Sequence, residues 1–117
     1  IEKVPVMRAL EVPFIPFVKF SYIDRKVLLP MRYGVNSTLK AAQLALTGHN
    51  CWNLAGGYHH ASQHSMEGFC VYNDIGIAYQ ELIKDLSEKT GLPVVDCKVG
   101  RINYIENRAN VKLYYKD

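Results

Sequence analysis

The chain has 117 residues, 14 Lys and Arg against 11 Asp and Glu, and 49% hydrophobic residues. That length and balance leave room for one domain with a shallow core and exclude a disordered acidic or basic tail. The net charge of +3 is well below that of a dedicated nucleic-acid binder. Lys3, Arg8, Lys19, Arg25, Lys26, Lys40, Lys84 and Lys89 form no run, so they are expected on solvated surface, with no nucleic-acid partner and only weak steering of acidic ones.

In chain order, residues 1–27 are apolar but interrupted by Pro5, Pro13 and Pro16. Proline removes a backbone donor and disfavours helix at the residue before it, so this stretch is expected to be extended and to pack on the domain or on a partner chain. The same prolines, with Lys19, break every apolar stretch short of the roughly 20 residues that cross a bilayer, so no membrane association is expected. A basic segment followed by an apolar one, the mark of a secretory leader, is not seen, and the start at Ile1 rather than Met suggests a fragment. Leu28-Leu29-Pro30-Met31-Arg32 closes a short apolar run. Asn36-Ser37 offers a cap for a helix from Thr38 to Thr47, closed by Gly48. Cys51-Trp52-Asn53-Leu54 reads as a buried strand, and a loop rich in Gly, His and Ser runs to Gly68. Asn73-Asp74 caps a second helix, in which Ile75, Ala78, Tyr79, Leu82, Ile83 and Leu86 recur at helical spacing. Leu92 to Val95 and Val111 to Tyr115 read as strands.

Strands separated by helices point to an α/β fold with parallel pairing through right-handed crossovers, in one domain spanning 1–117. Ligands in such sheets bind at the carboxyl ends of strands, which directs attention to the loops after Leu54 and Val95. The three cysteines, Cys51, Cys70 and Cys97, are odd in number and widely spaced. That usage is no disulfide framework and suits a reducing, cytoplasmic compartment. A Cys-x-x-Cys zinc motif does not occur. In the first loop His59 and His60 are adjacent behind Gly56-Gly57. Imidazole titrates near neutrality, so such a pair can supply both a base and an acid. On spacing alone, histidines that cap loop backbone are the slightly favoured alternative. A metal role for His60 with His64 would need helical geometry that a Gly- and Ser-rich loop does not promise.

Asn53-Leu54-Ala55-Gly56-Gly57-Tyr58-His59-His60-Ala61 followed by Gly68-Phe69-Cys70-Val71-Tyr72-Asn73-Asp74-Ile75 resembles the signature of the histone deacetylase superfamily, which includes bacterial acetoin-utilisation proteins and acetylpolyamine amidohydrolases. Leu29-Pro30-Met31-Arg32 and the helix from Ser37 to Leu46 are most similar to its class IV branch. The resemblance implies a partial arginase/deacetylase-like parallel sheet with flanking helices and an acetylated amine, such as acetyl-lysine, as substrate. It implies a zinc ion that polarises the amide and activates a water. It implies that His59 and His60 handle the protons of the water and the leaving amine. Gly68 and Phe69 would line the acyl channel, Asp96 and Asn103 would orient the histidines, and Cys70 is a buried small residue.

The chain departs from the family at its zinc motif. An Asp-x-Asp-x-His segment is expected after the strand at Val94-Val95, and here Asp96-Cys97-Lys98-Val99-Gly100 stands in its place. Lys98 takes the position of one ligand and Gly100 that of another, so no metal is expected in this chain. The remaining ligand Asp and the catalytic Tyr of the family fall beyond Asp117. The favoured expectation is a truncated, diverged member that folds without zinc chemistry. The alternatives are a piece of a larger active protein and a non-catalytic interaction module using Tyr58, Phe69 and the proline-rich start. An incomplete parallel sheet leaves apolar surface uncovered, so a homo-oligomer is expected.

Overall fold

The computed structural model describes residues 3–13, 16–106 and 108–116. Helix α1, Lys3–Ala9, occupies part of the stretch expected to be extended. Pro5 lies in its first turn, where backbone N–H groups have no helical acceptor, so the missing donor costs nothing there. Glu11, at φ 53°, and then Pro13 end the turn that follows.

Helix α2, Phe20–Ile23, runs through a π-helical turn, Asp24–Leu28, into helix α3, Leu29–Leu46. The wide turn lets the Leu29 N–H donate to the Asp24 carbonyl five residues back, just ahead of Pro30, which has no N–H to give. Helix therefore begins well upstream of the expected cap. Ser37 and Thr38 lie inside α3, and the Ser37 hydroxyl donates to the Tyr33 carbonyl one turn back at 2.9 Å. The far end matches the expectation at Gly48. With φ at 89°, its N–H donates to Ala45 and that of His49 to Leu44, closing the last carbonyls of the helix.

Cys51 to Leu54 forms no strand, and Trp52 and Leu54 are almost fully exposed. Apolar composition suggested a strand, but a strand needs a neighbour to pair with, and none runs beside it among the described residues. Helix α4, Asp74–Thr90, starts as expected. Asn73 Oδ1 accepts the Gly76 N–H at 2.7 Å, satisfying one of the orphan donors of the first turn. Asn73→Ala is expected to lower stability by about 1 kcal/mol and Asn73→Ser by much less, read from urea unfolding midpoints.

Strand β1, Val94–Asn103, pairs antiparallel with β2, Arg108–Tyr115. Among the described residues this two-stranded hairpin is the whole sheet, where a parallel one was expected. Residues 104–107 are too short a connection for a crossover and permit only a hairpin. It also places Asp96 to Asn103 within a strand rather than in a loop at a strand's carboxyl end. Cys97 faces Leu113, Val99 faces Val111 and Ile102 faces Ala109 on one side of the hairpin. On the other, Lys98 faces Lys112 and Asn103 faces Arg108.

The chain divides into two compact units, Ile1–Tyr79 and Gln80–Asp117. In the first, Val6, Met7, Ala9, Leu10, Ile23, Leu28 and Val71 form the apolar core, so the proline-punctuated start packs within its own unit. In the second, the Ser87 hydroxyl accepts the Val94 N–H at 3.1 Å and donates to the Ile83 carbonyl at 2.9 Å, tying the end of α4 to the start of β1. Among the described residues no helix is long and apolar enough to cross a membrane.

Candidate functional site

The histidine loop is built on one buried carboxylate. Asp74, fully buried at the first position of α4, accepts the Gly57 and Tyr58 N–H groups at 2.8 Å each and the Thr38 hydroxyl at 2.6 Å. Burial alone would raise its pKa. The hydrogen bonds from Thr38, Gly57, Tyr58 and Ile75 outweigh that and hold the carboxyl below its ordinary value. Its place at a helix N-terminus also favours the negative charge. Burial pushes the Tyr58 phenol up, and the Asp74 charge adds to the effect.

A second layer fixes the first. Asn53 Nδ2 donates to Thr38 Oγ1 at 2.6 Å and to the Gly34 carbonyl at 3.1 Å, while Asn53 Oδ1 accepts the Ala55 N–H at 3.1 Å. Thr38 therefore receives from Asn53 and gives to Asp74. Gly56 passes so close that a Cβ there would lie 2.5 Å from Asp74 Oδ2 and 2.7 Å from Asn53 Nδ2. Gly34 on α3 meets the same loop, with its Cβ position 2.9 Å from the Tyr58 hydroxyl. On the other side, Arg32 donates to both carboxylate oxygens of Asp24, at 2.8 and 3.3 Å, and to the Tyr72 hydroxyl at 3.1 Å. The hydrogen bond from Arg32 lowers the Asp24 pKa, and that to Asp24 raises the Arg32 pKa.

Held this way, Gly57 turns at φ 94° and presents its carbonyl to His59. The His59 N–H and Nδ1 both contact that oxygen, at 2.8 and 2.9 Å. A carbonyl can only accept, so Nδ1 carries the proton, and in the neutral ring Nε2 keeps its lone pair. The His60 ring lies 4.2 Å from that of His59, centroid to centroid, tilted by 41°. Both side chains are exposed.

Gly68 stacks on the His60 ring. A Cβ there would sit 2.9 Å from His60 Cδ2, and φ is 51°. Phe69 follows at φ 63°, an unfavourable value for a side chain of its size. Its N–H is anchored on the Ala9 carbonyl at 2.7 Å, and the Cys70 N–H closes the turn on Glu67 at 2.8 Å. The Phe69 side chain is 56% exposed and Cys70 is buried. An open cleft of about 600 Å³ is lined by His60, Gly68, Arg8, Glu11 and the segment from Ser65 to Glu67.

His59, His60, Gly68 and Phe69 thus lie along one folded loop system in the first unit. Asp96 and Asn103 are on β1 in the second. There Asp96 Oδ1 accepts the Cys97 N–H at 2.8 Å, and Asn103 Oδ1 accepts the Ile105 and Glu106 N–H groups at 3.1 and 3.2 Å, bracing the hairpin turn. The sequence reading took Asp74 as a helix cap rather than as the anchor of the histidine loop, and did not single out Thr38 or Gly34. The signal available was a Gly and a Thr one turn apart on α3, together with an Asp at a helix start.

The residues present do not fit the zinc ion that the resemblance implies. Lys98, which the resemblance puts at one ligand position, faces Lys112 across the hairpin, and Gly100, which it puts at another, offers no side chain. Among the described residues no group of three or more His, Cys, Asp or Glu stands close enough to hold a metal.

Residues 9–99 match the histone deacetylase domain family. Histone deacetylase 2 of Arabidopsis thaliana is 36% identical over 72 residues, which is 62% of this chain and 19% of the plant protein. Acetoin utilization protein AcuC of Staphylococcus aureus (strain COL) is 40% identical over 57 residues, 47% of this chain and 15% of the bacterial protein. AcuC of Bacillus subtilis (strain 168) is 39% identical over the same number of residues, 57. The chain therefore spans less than a fifth of the length of these curated relatives. No solved structure matches it.

Proposed function

Because the chain belongs to the histone deacetylase family, an α/β family, we propose that its histidine loop is the amine-recognising part of a deacetylase-type site and that the chain itself performs no zinc-dependent hydrolysis. The observation that carries this reading is the His59–His60 pair, with rings side by side, exposed, and fixed by backbone that hangs on Asp74. His59 Nε2 has the lone pair a proton acceptor needs, and His60 is the neighbouring group for the leaving amine. Gly68 and Phe69 supply the wall against an acyl-lysine stem. The family's parallel sheet belongs to the same reading.

The absence of hydrolysis follows from the donor set. A catalytic zinc site takes three protein ligands and leaves one position open. Lys98 would put a cation beside a dication, and Gly100 contributes no donor. Without a metal, water keeps its bulk acidity and is a poor nucleophile at neutral pH. A second reading, a non-catalytic interaction module, draws on the exposed Phe69 and Trp52 side chains.

Calorimetry with an acetyl-lysine peptide and its unmodified twin separates the two. The deacetylase-type reading expects the acetylated peptide to bind more tightly, His60→Ala to weaken that preference, and no acetate release with added zinc. Equal binding of both peptides, or none, transfers the case to the interaction module. Acetate release that a chelator abolishes would overturn the claim of no hydrolysis.

A further inference from the structure

We propose that the β1–β2 hairpin is a binding face for single-stranded nucleic acid. The cations looked scattered along the chain, and antiparallel register gathers them. From Val94 to Asp117 stand five cations and three carboxylates, a net +2 of the chain's +3. Lys98 lies directly opposite Lys112, and Arg108 lies opposite Asn103 on the same face. At the turn end an open cleft of about 380 Å³ is lined by Arg101, Asn103, Glu106, Arg108 and Asn110. Its one carboxylate, on Glu106, stands 3.9 Å from Arg108, too far to neutralise it by a close hydrogen bond.

Like charges directly opposite each other destabilise a hairpin, and an anion bridging them reverses the sign of that contribution. A chain of phosphates supplies such anions in series, along the line from Lys98 and Lys112 to Arg108 and Arg101. Aromatic side chains favour nucleic acid over an acidic peptide. Tyr104 at the turn is 85% exposed, and the Lys112 ammonium lies 5.0 Å from the centre of the Tyr114 ring, on the face where Asp96, opposite Tyr114, is the one carboxylate beside Lys98 and Lys112. Cations interleaved with exposed rings are what a single strand needs, since the backbone follows the charge and bases stack on the rings. The Asn103 and Asn110 amides add donors and acceptors in the cleft. This proposal is independent of the deacetylase-type reading.

The test is fluorescence anisotropy with the full chain and labelled oligothymidylate and oligouridylate of about 15 nucleotides. Binding is expected, with log K falling against log salt at a slope of about −2 to −3, from up to four phosphate contacts at about 0.7 each. Lys98→Gln with Lys112→Gln should weaken binding about tenfold or more and make the slope shallower by about 1.4. Lys98→Arg with Lys112→Arg should retain binding, which separates charge from fold. Tyr104→Ser with Tyr114→Ser should weaken binding about fivefold or more without changing the slope. No binding at 50 mM salt, or binding that the Gln pair leaves intact, would overturn the proposal. So would equal competition by polyglutamate with no effect of the Tyr pair, which would assign the face to an acidic protein.

Discussion

Asp74→Ala is expected to lower the stability of the chain by about 3 kcal/mol or more. The substitution removes a fully buried carboxylate that accepts the Gly57 and Tyr58 N–H groups and the Thr38 hydroxyl, of which only Thr38 has another acceptor nearby, the Gly34 carbonyl at 3.3 Å. Each buried donor so orphaned costs about 1–3 kcal/mol. Small domains hold only about 5–15 kcal/mol in total, so this one change removes a large part of it. Urea unfolding followed by circular dichroism should show the midpoint falling with little change in slope. A loss under 1 kcal/mol would mean that the loop is held by something other than this carboxylate. The pH dependence has a definite sign. The folded Asp74 carboxyl titrates below its ordinary value of 3.8, so near and below that value the unfolded chain binds more protons than the folded one. The stabilisation is therefore present above about pH 4 and lost as pH falls through the lower, folded value. Asp24, held down by its hydrogen bond from Arg32, acts in the same direction. Asp74→Asn should flatten the acid limb of the stability curve, and an unchanged limb would remove Asp74 from the account.

Gly34→Ala should destabilise the chain by about 1–3 kcal/mol, although the same change in an exposed helix interior stabilises by about 1 kcal/mol. The reversal comes from the loop packed on α3. A Cβ at Gly34 would run into the Ala55 carbonyl oxygen and sit 2.9 Å from the Tyr58 hydroxyl. The tyrosine can swing aside, but the backbone carbonyl can move only with the loop that carries the histidines. Tyr58→Phe in the Gly34→Ala background should therefore recover less than half of the loss. Full recovery would identify the hydroxyl rather than the carbonyl as the obstacle. A stabilised Gly34→Ala variant would show that the loop does not rest on α3.

Local rules settled the parts of this chain whose partners lie within one turn. Asn73 caps α4 through Gly76, and Gly48 closes α3, because capping depends on a few adjacent dihedrals and hydrogen bonds. The paired glycines, paired histidines and Gly-Phe-Cys at their separations carried the family resemblance, and the match over residues 9–99 makes the chain a member. Pro5 and Pro30 were harder to read. Proline forbids helix only where its N–H is required, and a first turn and a widened π-helical turn do not require it. Only tertiary contact made Asp74 the anchor of the histidine loop, because its partners Thr38, Gly57 and Tyr58 are 16 to 36 residues away. Cys51 to Leu54 lost its strand and Asp96 to Asn103 gained one for a related reason. A strand exists only where another backbone supplies the complementary hydrogen bonds, and for β1 the hairpin partner supplied them.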